Sequence, residues 1–180
     1  MRSVVYRVAA SLDGYLAGPN GEVDWIVGDG GAELAGLYEK VDTVLIGRRT
    51  YELTLRPGSP PWPAGWRVFV FSRTLPPEQH PRITVVSAGA AETVASLRTE
   101  AGGTIWLFGG GNLFRSLLDA GQVDVVEIAV MPVVLGGGIP LLAPRTRAGA
   151  GADGPPTRLA LVDSKASPKG VVTLRYEVRD

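Results

Sequence analysis

The chain has 180 residues, 45% of them hydrophobic, which is enough for one domain with a proper core. Lys plus Arg and Asp plus Glu number 18 each, with no block of like charges, so nothing in the sequence attracts nucleic acid in bulk. Cysteine is absent and histidine occurs once, which excludes disulfides, thiolate zinc sites and cysteine nucleophiles and leaves no basis for a histidine metal site.

The elements read in chain order as follows. Val4 to Ala10 is a β-branched run and predicts a strand. The stretch SLDGYLAGPNGEVDW follows, with Asp13-Gly14 and Asn20-Gly21, two dipeptides that reverse a chain. A short helical pattern spans Ala32 to Lys40. Val41 to Gly47 predicts a strand and a helix begins at Arg49 or Thr50. Trp66 to Ser72 and Ile83 to Ser87 predict strands, Ala90 to Ala101 a helix, Thr104 to Phe108 a strand and Gly111 to Ala120 a helix with Leu113, Leu117 and Leu118 at helical spacing. This alternation predicts an α/β fold with parallel strands. After Asp124, three strand-like runs (DVVEIAVMPVV, RLALVDSKAS, GVVTLRYEVRD) lack helices between them, so the chain is expected to finish antiparallel. AGAGADG with Pro155 and Pro156 reads as a flexible connection inside a single domain of residues 1–180. No uninterrupted apolar stretch approaches the roughly 18 residues of a membrane span and no leader pattern is visible, so the expected location is cytoplasmic.

Three strand exits carry groups suited to an anion. In IGRRTYE, Gly47 permits close backbone approach and Arg48, Arg49 and Thr50 open a helix; the alternative is an ordinary turn capped by Thr50 with solvated arginines. In LFGGGNLFRSLL, Gly109, Gly110, Gly111 and Asn112 lead a strand into a helix, either as a structural turn or as room for pyrophosphate against the main chain. It is not the GxGxxG fingerprint, and no GK[ST] follows. Ser72 and Arg73 end the strand of VFSRTLPPE with a hydroxyl and a guanidinium, a pair that suits a phosphate monoester only in combination with the other exits. In a parallel sheet these exits would lie along the carboxyl edge, where open α/β sheets bind ligands.

With AASLDGYLAGPNGEVDW, LIGRRTYE, LFGGGNLFRSLLDAGQVD and MPVVLGGGIPLL in this order, the chain resembles the dihydrofolate-reductase-like superfamily over nearly its whole length. In particular it is similar to the reductase domain of the bacterial bifunctional riboflavin-biosynthesis deaminase-reductase. The resemblance implies a three-layer fold whose mixed central sheet, mostly parallel with antiparallel C-terminal strands, is flanked by helices. It implies NADPH as cofactor, with Gly47, Arg48, Arg49 and Thr50 at the adenosine phosphates, Ser72 and Arg73 at the 2′-phosphate, and Gly109, Gly110, Gly111 and Asn112 beside the pyrophosphate and nicotinamide. It also implies that residues 11–25 form a loop over the nicotinamide and substrate.

Within that loop Asp13 either bonds its own turn or orients substrate and relays a proton, and Trp25 either walls the pocket or packs. Dihydrofolate reductases place a carboxylate on the next helix; the segment IVGDGGAELAGLYEK offers only Asp29 or Glu33 there. A deaminase domain with histidine and cysteine zinc ligands is absent from the sequence. The expected function is hydride transfer from NADPH to a small heterocycle, pterin- or ribosylaminopyrimidine-like, with a non-catalytic NADPH-binding or sensing protein as the alternative. A homodimer is expected from the apolar C-terminal strands, with no nucleic-acid, membrane or metal partner.

Overall fold

A computed structural model describes residues 1–27, 40–144 and 155–179. The strands in chain order are β1 (Val4–Ser11), β2 (Tyr15–Ala17), β3 (Val41–Gly47), β4 (Arg67–Phe71), β5 (Thr84–Val86), β6 (Thr104–Gly109), β7 (Val125–Met131), β8 (Ile139–Pro140), β9 (Arg158–Ala166) and β10 (Val172–Arg179). The helices are α1 (Arg48–Thr54), α2 (Ala90–Thr99) and α3 (Gly111–Asp119), with a 3-10 turn at Pro77–Gln79. The helical pattern expected over Ala32 to Lys40 lies outside the described residues except for Lys40, which is in a turn. Among the described residues no helix is long and apolar enough to cross a membrane.

Eight strands form one sheet in the order β5-β4-β3-β6-β1-β7-β10-β9. Every pairing from β5 to β7 is parallel, and β10 is antiparallel to both β7 and β9. The chain finishes antiparallel, as expected: β7 still runs parallel to β1, and the reversal comes with β10. A β-branched run such as VVEIAVM fits a pleated half-buried surface in either direction, and only its partner fixes which.

The two faces of the sheet are packed differently. On one face Val4, Tyr6, Leu45, Phe69, Ile105 and Leu107 meet Val94 and Leu97 of α2 and Leu113, Phe114 and Leu117 of α3. Each such buried side chain contributes about 1.5–3 kcal/mol. Tyr6 stacks on Phe114 with centroids 3.7 Å apart, and its hydroxyl donates to the Leu141 carbonyl at 3.1 Å. Burial drives its phenol well above the ordinary range, so it stays neutral. On the other face Val44, Ile46, Val68, Val70 and Trp106 pack with Tyr51 of α1 and with Trp62, Trp66 and Phe108.

Candidate active site

The sheet order makes β4, β3, β6 and β1 neighbours, and because all four are parallel their carboxyl ends open along one edge. Gly47 pairs with Phe71 and Ile46 with Gly109, so the exits carrying Ser72-Arg73, Gly47-Arg48-Arg49 and Gly109-Gly110 stand at one level. The glycines of β3 and β6 converge. A Cβ on Gly47 would sit 3.5 Å from the Gly110 nitrogen, and one on Gly110 would sit 3.1 Å from Thr50 Oγ1.

Helix α1 begins one residue earlier than the sequence suggests. Its N-cap is Gly47, without a side-chain cap, and Thr50 lies inside the first turn instead of capping it. The N-cap of α3 is Gly110, also without a side-chain cap, and no acidic residue occupies the first turn. The first intrahelical bond of α3 runs from the Phe114 amide to the Gly110 carbonyl at 3.0 Å. The preceding amides therefore have no acceptor within the helix, as at any uncapped start. Asn112 is exposed in that first turn.

The three glycines of GGGN divide between open space and protein. A Cβ on Gly109 would meet nothing within 4 Å, whereas one on Gly111 would lie 2.6 Å from the Pro140 carbonyl oxygen and 3.1 Å from that of Leu141. Gly111 is thus filled by the chain's own backbone, and Gly109 and Gly110 face the cleft. The Gly109–Gly110 peptide is cis.

The arginines divide as well. Arg48 donates to Glu52 at 2.7 Å and to the Thr74 hydroxyl at 2.5 Å, tying α1 to the turn after β4. Arg49 and Arg73 are exposed, and neither has a hydrogen bond or ion pair among the described residues. Ser72 Oγ accepts from the amides of Thr74 (3.2 Å) and Leu75 (2.9 Å), which shapes the turn and leaves the hydroxyl proton to donate outward. The single histidine, His80, holds the Tyr51 hydroxyl at 3.1 Å through Nδ1 and so braces α1 from below.

Segment 11–25 is more structured than two turns. Asp13 accepts from the amides of Leu135 (3.1 Å) and Gly136 (2.7 Å), Leu12 donates to the Val133 carbonyl at 2.8 Å, and β2 pairs with β8. Asp13 therefore bonds a backbone 122 residues away, in the MPVVLGGGIPLL motif. The Ser11 hydroxyl, followed by those two amides, holds its carboxyl below the ordinary range. Farther out, Glu22 closes the turn by accepting from Asn20, and the Trp25 indole donates to the Glu22 carbonyl at 3.0 Å. Trp25 is half-buried. Asp29 lies outside the described residues.

A family model described as the RibD C-terminal domain matches residues 2–173. The chain belongs to the RibD C-terminal domain family. The YwjB protein of Bacillus subtilis is 36% identical over 144 residues, covering 78% of this chain and 82% of that one. A candidate riboflavin biosynthesis protein of Shewanella sp. PV-4 superposes with a TM-score of 0.79 at 23% identity over 99% of both chains. A dihydrofolate reductase of Enterococcus faecalis, complexed with NADP(H), superposes with a TM-score of 0.68 at 18% identity over 99% of this chain and 97% of that one. At these identities the solved structures establish the fold, which is dihydrofolate-reductase-like, as the sequence resemblance implies. As a member of the RibD C-terminal domain family the chain shares that fold along its described length.

Sequence reasoning did not single out Trp62 and Phe108. Phe108 precedes Gly109, and its ring stands edge-on to Trp62, 5.4 Å away. The two lie 46 positions apart in the sequence and only the fold joins them.

Proposed function

We propose that the protein is an NADPH-dependent reductase that passes a hydride to a small, flat heterocyclic substrate. The observation that carries this reading is the adjacency of the β4, β3 and β6 exits, with Arg49 and Arg73 unpartnered among the described residues beside the glycine pair Gly109-Gly110. An exposed cation without a carboxylate partner, next to uncapped helix starts, suits a polyanion. On this reading Ser72 and Arg73 hold the 2′-phosphate, Arg49 and Thr50 the adenosine phosphates, and the Gly109-Gly110 backbone and Asn112 the pyrophosphate and nicotinamide end. Arg48 acts through Thr74, setting the turn that presents Ser72 and Arg73. Gly47 allows β3 and β6 to approach. The bound dihydronicotinamide supplies the hydride; the protein supplies position and an electrostatic field. The name of the Enterococcus protein, a dihydrofolate reductase complexed with NADP(H), supports reductase chemistry on such a scaffold.

Calorimetric titration with NADPH and NADH tests the assignment. NADPH is expected to bind at least about tenfold more tightly, since one charge-assisted hydrogen bond to the extra phosphate contributes about 1.5–3 kcal/mol. Arg73→Ala should bring the two affinities together by weakening NADPH alone. Equal affinities in the wild-type protein would overturn the assignment.

A binding or sensing protein is the second reading. It is favoured by the engagement of Asp13, the one carboxylate in segment 11–17, with backbone amides. Tight NADPH binding without cofactor oxidation across pterins, flavins and ketones would select it.

A homodimer joins the proposal on a separate observation. Strand β9 ends the sheet, so among the described residues its outer edge is unpaired, and Leu159, Leu161 and Val162 are 44%, 57% and 51% exposed. A long apolar edge of this kind is normally covered. Light scattering at micromolar concentration should give twice the 19.0 kDa chain mass. A monomer mass would refute it.

A further inference from the structure

Far from the strand exits, a cavity of about 330 Å3 lies between α3 and the last strands of the sheet. Its lining is largely apolar: Phe114 and Leu118 of α3, Val126 and Ile128 of β7, Leu141, and Leu159 of β9. Arg115, the charged group on that lining, is committed to the Ala143 carbonyl at 3.0 Å and to Asp119 at 3.2 Å. Packing and not charge therefore decides what the cavity meets. Leu159 is its wall on the side of β9, the strand that ends the sheet.

The register of β9 fixes which face each of its side chains takes. Leu159 pairs with Val178 and Leu161 with Tyr176, and residues directly opposed on neighbouring strands share a face. Val178 packs against the core under α3, and Tyr176, two residues before it, shares its face. Leu159 and Leu161 therefore stand on the α3 face, and Arg158 and Ala160 on the reverse. The register shifts between Tyr176 and Arg175, so Val162 is an extra residue and the regular alternation of β9 covers 158–161. Two leucines on the core face of a strand, next to an apolar cavity, are 44% and 57% exposed.

Self-pairing of such an edge is restricted by symmetry. About a two-fold axis, residue i of one strand opposes residue j of its twin and j opposes i. Opposed residues share a face, so in a regular strand i and j differ by an even number. Leu159 and Leu161 meet that condition. An axis through Ala160 is the register that opposes both leucines to leucines; an axis at Leu159 would set Leu161 against Thr157, and one at Leu161 would set Leu159 against Asp163.

We propose that a second copy of this chain pairs with the β9 edge antiparallel about a two-fold axis at Ala160, so that Leu159 of each copy opposes the partner's Leu161. The proposal rests on the reading of the protein as a homodimer and specifies its register. The two eight-stranded sheets become one. Four leucines gather on the α3 face, where the partner's Leu161 continues the wall that Leu159 gives the cavity. On the reverse face the axis runs between two alanines, small enough for the strands to close.

The chain has no cysteine, so a single introduced thiol reports the register. Ala160→Cys changes little in an isolated chain and places two thiols on the axis, within the reach of a disulfide. Mild oxidation with diamide should convert most of this variant into a covalent dimer on a non-reducing gel. Ser164→Cys is the control: four residues from the axis, it stands roughly 25 Å from its counterpart and should stay monomeric on the same gel. Leu161→Asp, at an exposed position, should keep its cooperative thermal transition and give the 19.0 kDa mass of one chain in light scattering. A wild-type monomer would overturn the homodimer and this register together. A wild-type dimer in which Ala160→Cys fails to cross-link, or in which Ser164→Cys cross-links as well, or which survives Leu161→Asp, would overturn the register alone.

Discussion

Gly111→Ala is expected to destabilise the protein severely, whereas Gly110→Ala is expected to fold and to lose NADPH affinity by about tenfold or more. The difference follows from what each new methyl group would meet. At Gly111 it would lie 2.6 Å from the Pro140 carbonyl oxygen, 3.1 Å from that of Leu141 and 3.2 Å from the Ala143 nitrogen. These are backbone atoms of a segment held by the Tyr6 hydroxyl on Leu141 and by Arg115, whose Nε donates to the Ala143 carbonyl at 3.0 Å. Such atoms cannot yield as a flexible side chain does, so overpacking should cost about 1–3 kcal/mol or more. For a chain of this size that lowers the melting temperature by roughly 3–10 °C. At Gly110 the backbone φ is −91°, which any residue adopts, and the methyl group would meet only Thr50 Oγ1 at 3.1 Å. The hydroxyl can turn aside. On the proposed cofactor assignment the methyl group would then occupy the space that NADPH takes up. Thermal denaturation and calorimetry on the two variants separate the roles, and a Gly110→Ala protein that binds NADPH normally would assign this glycine to structure.

The elements differ in how far local sequence fixes them, for identifiable reasons. Strand β3 matches its expected bounds at both ends, because VDTVLIG is a β-branched run, polar only at Asp42 and Thr43, ended by a glycine and two arginines. The adjacency of the three anion-compatible exits also follows from local pattern, since alternating strands and helices imply a parallel sheet with one carboxyl edge. Pairing information is different in kind. Nothing local to VVEIAVM fixes β7 parallel to β1, and nothing in IGRRTYE shows that Arg48 is committed to Glu52 and Thr74 while Arg49 is not. The alternative of Thr50 as the cap of α1 fails although a threonine near a helix start is a frequent cap, because here Gly47 takes that place and brings β3 against the β6 turn. Asp13 is the clearest case. An aspartate before a glycine reads as local, and beside its local partner Ser11 it holds two amides, of Leu135 and Gly136, from across the fold.

Asp13 is expected to act as a clamp and not as a proton donor. Its folded-state value is depressed below the ordinary 3.8, with the Ser11 hydroxyl as the largest cause. The clamp is therefore fully formed above that ordinary value and is lost as pH falls through the depressed one. Between about pH 5 and 8 the carboxylate stays ionised and has no proton to give. A pH profile of any turnover should show no limb in that range that disappears with Asp13→Asn. The substitution should act on the backbone instead: an amide group turns an NH2 toward one of the two amides that the carboxylate accepts from. Exchange at Leu135 and Gly136 should then quicken on the order of tenfold, because local opening governs it. NADPH affinity should change by less than about threefold, since the phosphate-compatible exits belong to β3 and β4, on the far side of β6. The loop itself should respond to NADPH in two parts. Residues 11–17, pinned by Asp13, Leu12 and β2, should be protected with or without cofactor. Residues 18–25 are closed mainly on Glu22, with Gly21 resting near Leu53, and should gain protection only when NADPH is bound. Equal protection of residues 18–25 in both states would reject a moving lid, and unchanged exchange at Leu135 and Gly136 in Asp13→Asn would reject the clamp.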